Sequence, residues 1–84
     1  MKSIRLSEHA LRYRLTRGFS ATEVEEAIRA GGWRSAELGR LECHRDFRYG
    51  QQWNGKACAT KRVRPVFVEE TTEIVVVTVY TYYF

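Results

Sequence analysis

The chain has 84 residues, and 14 Lys and Arg against 10 Asp and Glu give it a formal net charge of +4. Its 44% apolar and 13% aromatic content excludes a disordered tail, and no apolar run approaches the roughly 18 residues of a membrane helix. We expect one domain over residues 1–84 with no membrane contact. Because the N-terminus lacks the apolar core of a signal peptide, we expect a cytoplasmic location.

Most of the cations are arginine, 11 of the 14. The rigid donor fork of arginine suits phosphate better than the point charge of lysine does. This bias favours a polyanionic partner such as RNA, although a charge of this size also serves solubility alone.

The first predicted helix lies near the N-terminus. Residues 2–6 alternate in hydropathy, as in a short strand or an extended segment, and Ser7 is a typical N-cap. The helix should cover residues 8–17, because Gly18 supplies the left-handed position at which helices commonly end.

One side of this helix is polar and basic. At helical spacing it carries His9, Arg12, Tyr13 and Thr16, with Arg17 at its border. Leu11 and Leu15 fall on the opposite side, where we expect them to anchor the helix to the core. The polar side is either a solvated surface or a binding surface.

The second helix has clearer start and stop signals. Ser20 and Glu23 form a capping box, so the helix should begin at Ala21. Gly31 and Gly32 should stop it.

The remaining sequence predicts strands. Residues 41–49 alternate in polarity, with a bulge expected at Arg45, and Asn54-Gly55 is a hairpin signal. Residues 62–70 and 74–83 complete the strands. The expected fold is therefore α+β, with two N-terminal helices packed on a small antiparallel sheet of three to four strands.

The last strand carries hydroxyl groups toward its end. Strict alternation would place Ile74, Val76, Thr78, Tyr80 and Tyr82 on one face. The threonine and tyrosines either cap the core with exposed polar ends or form a rim that binds phosphate or stacks on a base.

Other chemistries lack the required spacing. Cys43, His44, Cys58 and His9 match no zinc pattern, so we expect neither a metal nor a cofactor. A nucleophilic pair of Cys43 with His9 has no supporting motif, and a small buried cysteine is the better interpretation.

Two segments of the sequence resemble a known family. "LSEHALRYRLTRGFSATEVEEAI" and "EIVVVTVY" are similar to the domain of unknown function 4258 family (DUF4258). The matching positions are Ser7, His9, Ala10, Arg17, Gly18, Ser20, Val24, Thr78, Val79 and Tyr80. The chain departs at Tyr13, where many members carry arginine, and at Phe19, where isoleucine is usual.

The resemblance implies a fold similar to the RelE/ParE toxins, within the barnase/EndoU/colicin/RelE group. It also implies a metal-independent ribonuclease or a toxin-like component with an antitoxin partner. On this hypothesis His9 acts as acid or base, Arg17 binds the phosphate, and Thr78 and Tyr80 orient the RNA. The candidate RNA-binding residues are Arg12, Arg14 and Lys61.

Two alternatives belong to other classes of protein. The same fold can be a non-catalytic module that binds RNA or protein. The uncharged C-terminal strand, residues 74–84, is also a candidate edge for pairing with a partner chain or for a homodimer.

Overall fold

The computed structural model of the protein describes residues 2–84. Within that range the chain forms one sheet and three short helices. The strands are β1 (Ser3–Leu6), β2 (Arg34–Ser35), β3 (Leu41–Glu42), β4 (Arg45–Trp53), β5 (Lys56–Glu69) and β6 (Glu73–Tyr83). The helices are α1 (Glu8–Arg12), α2 (Arg14–Arg17) and α3 (Ala21–Arg29), and Glu37–Gly39 form a 3₁₀ turn.

The strand order of the sheet is β1-β6-β5-β3-β2, and β4 pairs with the first half of β5. β1 runs parallel to β6, whereas the other pairs are antiparallel. The expectation of two helices on an antiparallel sheet of three to four strands is therefore wrong, since six strands are present in residues 2–84. The long β5 pairs with β4 along its first half and with β3 further along. β1, at the start of the chain, pairs with β6 at its end.

The first predicted helix is broken at Tyr13, which has φ −95° and ψ 3° and separates α1 from α2. Ala10 is buried, but Leu11 is 47% and Leu15 85% exposed. The expectation that these leucines anchor the helix is therefore wrong. α1 packs beside β6 through the small Ala10, and Leu11 in α1 and Leu15 in the separate α2 both face solvent.

α3 confirms the capping-box prediction. The Ser20 hydroxyl accepts from the Glu23 amide, and the Glu23 carboxylate accepts from the Ser20 amide. Val24, Ala27 and Ile28 are buried against β5 and β6. Burial of this apolar face holds α3 on one face of the sheet, which we call the helix face.

The hairpin prediction is also confirmed. Asn54 (φ 52°) and Gly55 (φ 80°) form the turn, and Trp53 pairs with Lys56. The strand expected over residues 41–49 is interrupted at Cys43–His44, because β3 and β4 pair with different parts of β5.

A bulge in β6 changes the expected faces of the last strand. Val66 pairs with Thr78 but Phe67 pairs with Val76, so Val77 is an extra residue. Ile74, Val76 and Val79 therefore all join the core. Thr78 and Tyr80 lie on the opposite face, which we call the second face, so the predicted alternation through the whole strand is wrong.

Candidate functional site

Arg17 is fixed against the end of the sheet. Its Nη1 donates to the Val79 carbonyl at 2.7 Å and to the Thr78 hydroxyl at 3.2 Å. The hydroxyls of Thr81 and Tyr83 donate to the Arg17 carbonyl at 2.7 and 2.8 Å. The backbone and side chain of Arg17 are thus both held by β6, which restricts where its guanidinium can point.

Aromatic side chains surround the Arg17 guanidinium. Its Cζ lies 4.3 Å from the centre of the Tyr13 ring and 5.1 Å from that of Tyr80. The His9 and Tyr13 ring centroids are 5.0 Å apart. We call these five residues the Arg17 cluster: His9, Tyr13, Arg17, Thr78 and Tyr80.

The structure thus brings together three of the four residues predicted to be catalytic, and His9 lies one residue away from them. Arg17 contacts Thr78 and Tyr80 directly, whereas His9 joins them through Tyr13. Sequence reasoning assigned no role to Tyr13. Its position four residues after His9 and four before Arg17 was the available signal, because such residues are neighbours on a helical surface.

The charge of Arg17 is not compensated locally, since it forms no salt bridge with any residue in 2–84. Arg62 and Arg64 differ, because Asp46 and Glu42 accept hydrogen bonds from them. Stacking occupies the face of the Arg17 guanidinium, and Nη1 already donates to β6, so the in-plane N–H groups of Nε and Nη2 are the ones able to donate to a ligand. An anion can therefore bind at Arg17 without displacing a carboxylate.

The three predicted RNA-binding residues lie outside this cluster. Arg12 and Arg14 are exposed on α1 and α2. Lys61 is only 8% exposed on the helix face. Its Nζ donates to the Gly18 carbonyl at 2.9 Å and lies 2.7 Å from Glu23 Oε2. These two contacts attach the turn before α3 to β5. Because Glu23 neutralises the charge of Lys61, a contact between Lys61 and RNA stays a prediction.

Sequence reasoning missed a groove on the second face. It has a volume of about 300 Å³ and lies between β3, β5, β6 and the 3₁₀ turn. Arg64 and Glu42 form part of its wall together with Thr78 and Tyr80. The sequence predicted that Arg64 lies in a strand over residues 62–70, but the pairing of Arg64 with Tyr80 required the register of the sheet.

Cys43 lies in the core. Burial raises the pKa of its thiol to about 11, and its Sγ donates to the Ala27 carbonyl at 3.4 Å. The thiol is therefore protonated at neutral pH and a poor nucleophile. This agrees with the interpretation of a small buried cysteine.

Among residues 2–84 no three His, Cys, Asp or Glu side chains are grouped as metal ligands would be. None of the helices described here is long and apolar enough to cross a membrane.

The edge of β6 is partly occupied by side chains. Ser7 Oγ donates to the Val77 carbonyl at 3.1 Å, two residues before the carbonyl that Arg17 occupies. These contacts cover two of the backbone acceptors that an added strand would need. A homodimer through this strand stays a prediction.

The fold and site together define a small α+β protein with an arginine held among aromatic rings at the end of its sheet. Comparisons of the chain with family models, with curated proteins and with solved structures each return no match. The resemblance to the domain of unknown function 4258 family stays a prediction from the quoted residues.

Proposed function

We propose that the protein is a metal-independent endoribonuclease that acts at the Arg17 cluster. The observation that supports this proposal most strongly is the position of Arg17. It lies next to Thr78 and Tyr80, has no carboxylate partner in residues 2–84, and is joined to His9 by the Tyr13 ring.

Arg17 would bind the non-bridging oxygens of the scissile phosphate. Charge on these oxygens increases as the pentacoordinate phosphorane forms, and a fixed guanidinium stabilises this charge without reorganising. Thr78 accepts from Arg17, so its own hydroxyl proton can be donated to the substrate.

His9 would supply the proton transfer. The ribose 2′-oxygen attacks phosphorus, its proton passes to a base, and the bond to the 5′-oxygen breaks as that oxygen takes a proton. The products are a 2′,3′-cyclic phosphate and a 5′-hydroxyl. Imidazole can serve as the base or as the acid near neutral pH. Tyr13 would hold the His9 ring near the phosphate bound by Arg17.

The test is cleavage of end-labelled single-stranded RNA in EDTA. We expect His9→Ala to slow cleavage about 100-fold or more, since general acid–base groups contribute at least that much. His44→Ala is the matched control, because His44 is the other exposed histidine and contacts Arg34 instead. The ribonuclease proposal fails if the parent protein leaves RNA intact, and the role assigned to His9 fails if His9→Ala cleaves at the parental rate.

A non-catalytic module is the second candidate. Leu11 and Leu15 are exposed on the same helical segment as Arg12 and Arg14. An apolar surface beside basic residues suits a protein partner such as an antitoxin, and the arginines also suit an RNA backbone. RNA binding that weakens steeply with salt, without any cleavage, would favour this candidate.

A further inference from the structure

The groove on the second face adjoins the Arg17 cluster. Thr78 and Tyr80 belong to both, since each contacts Arg17 and each also lines the groove. A molecule in the groove would therefore lie immediately beside an anion bound by Arg17. A phosphate and the base next to it in one nucleotide chain are adjacent in the same way.

Arg64 forms part of the groove wall. Its Nη1 donates to Glu42 at 3.2 Å, and its Cζ lies 4.8 Å from the centre of the Tyr80 ring. Its Nε is buried and has no partner among the described residues. A buried N–H without an acceptor is costly, so a ligand that draws the Arg64 guanidinium toward the groove and supplies an acceptor would remove that cost.

The charges around the groove are balanced. Arg40 and Arg64 line it, but so do Glu37 and Glu42. A second phosphate would meet these carboxylates. A nucleobase fits better, because it is uncharged and its edge carries both hydrogen-bond donors and acceptors.

Leu38 stands at the groove and has an unfavourable backbone conformation. Its φ is +59°, and the residue is 83% exposed. A leucine in the left-handed region is strained, and strain of this kind concentrates at binding sites. A base bound in the groove would be covered by the apolar side chain of Leu38, which would then be less exposed to water.

We propose that this groove binds the nucleobase adjacent to the phosphate held by Arg17, and that it discriminates between bases. The inference rests on the proposed ribonuclease function. It specifies a single-stranded substrate, because a base in a duplex cannot leave its stack to enter the groove without a large cost. Arg64 would be the main specificity-determining residue.

The experiment is a titration of the purified protein with the four nucleoside 3′-monophosphates, followed by NMR. These ligands have no scissile 5′-oxygen. We expect one of them to bind at least tenfold more tightly than the weakest. Arg64→Met should reduce this preference to within twofold. Arg62→Met is the matched control, since Arg62 lies on the neighbouring position of the same strand face and outside the groove.

Leu38→Gly keeps the test decisive if loss of Arg64 disturbs the fold. Glycine accepts a positive φ, so this variant should fold at least as well as the parent. We expect it to bind the preferred nucleotide at least threefold more weakly. Equal binding of all four nucleotides, or an unchanged preference in folded Arg64→Met, would overturn the inference.

Cleavage of RNA by the same samples separates the two proposals. Cleavage without base preference would contradict the proposal that the groove binds a base and would support the proposed ribonuclease activity. Selective nucleotide binding without cleavage would reject the ribonuclease and keep the groove as a nucleotide site.

Discussion

Gly18 is the position at which one added methyl group should do the most damage. Its φ is +74°, and a Cβ there would lie 2.5 Å from the Tyr83 hydroxyl and 2.7 Å from the Trp53 ring. Alanine in this conformation costs about 1 kcal/mol, and the overpacked contact adds about 1–3 kcal/mol. We therefore expect Gly18→Ala to lower the free energy of unfolding by about 2–4 kcal/mol.

Gly32→Ala is a matched control for this substitution. Gly32 has φ +75°, but a Cβ there would meet no atom within 4 Å. It should therefore cost only the conformational part, about 1 kcal/mol. The assay is urea denaturation of both variants and the parent, followed by circular dichroism. Equal destabilisation by the two substitutions would refute the steric part of this reasoning.

Three further predictions concern the site and the core. Arg17→Met should lower stability by about 1–2 kcal/mol, measured in urea, and slow RNA cleavage at least tenfold; unchanged cleavage would remove Arg17 from the site. Burial raises the pKa of the Cys43 thiol to about 11, so Cys43 should resist iodoacetamide at pH 8 in the folded protein and react with it in urea. Mass spectrometry measures the alkylation, and rapid alkylation of the native chain would contradict the burial of Cys43. Burial also raises the pKa of Tyr83 to about 12 from 10.0, so the folded state keeps a proton that the unfolded state loses, and stability should fall as pH rises from about 10 to 12. Tyr83→Phe should flatten this alkaline loss in a series of urea titrations, and an unchanged slope would assign the loss to other groups.

The elements marked by local signals could be predicted from the sequence. The capping box of α3 involves two residues one helical turn apart, and the Asn54-Gly55 turn specifies its own backbone conformation. Such signals act before any tertiary contact forms.

The elements set by distant partners could not be predicted in the same way. The Val77 bulge has no characteristic residue type, and it follows from the pairing of β6 with β5. The break at Tyr13 and the exposure of Leu11 and Leu15 follow from packing beside β6. At such positions tertiary packing determines the structure more strongly than helix or strand propensity and hydrophobic periodicity do.

In the candidate site, too, the residue types could be predicted from the sequence but their contacts could not. Arg17, Thr78 and Tyr80 could be singled out by residue type and by the family resemblance. Their direct contacts join opposite ends of the chain, and only the sheet brings them together. The groove at Arg64 depends on three strands and a 3₁₀ turn, so no local pattern could have indicated it.

The most direct test of the proposed ribonuclease uses an RNA that is cleaved at one position and a second RNA with a single 2′-deoxy substitution at that nucleotide. Both are incubated with the parent protein in EDTA, and the product ends are mapped. If the 2′-oxygen is the nucleophile, the first RNA yields a 2′,3′-cyclic phosphate and the second stays intact at that position. Cleavage of the substituted RNA at the same position and rate would contradict the account.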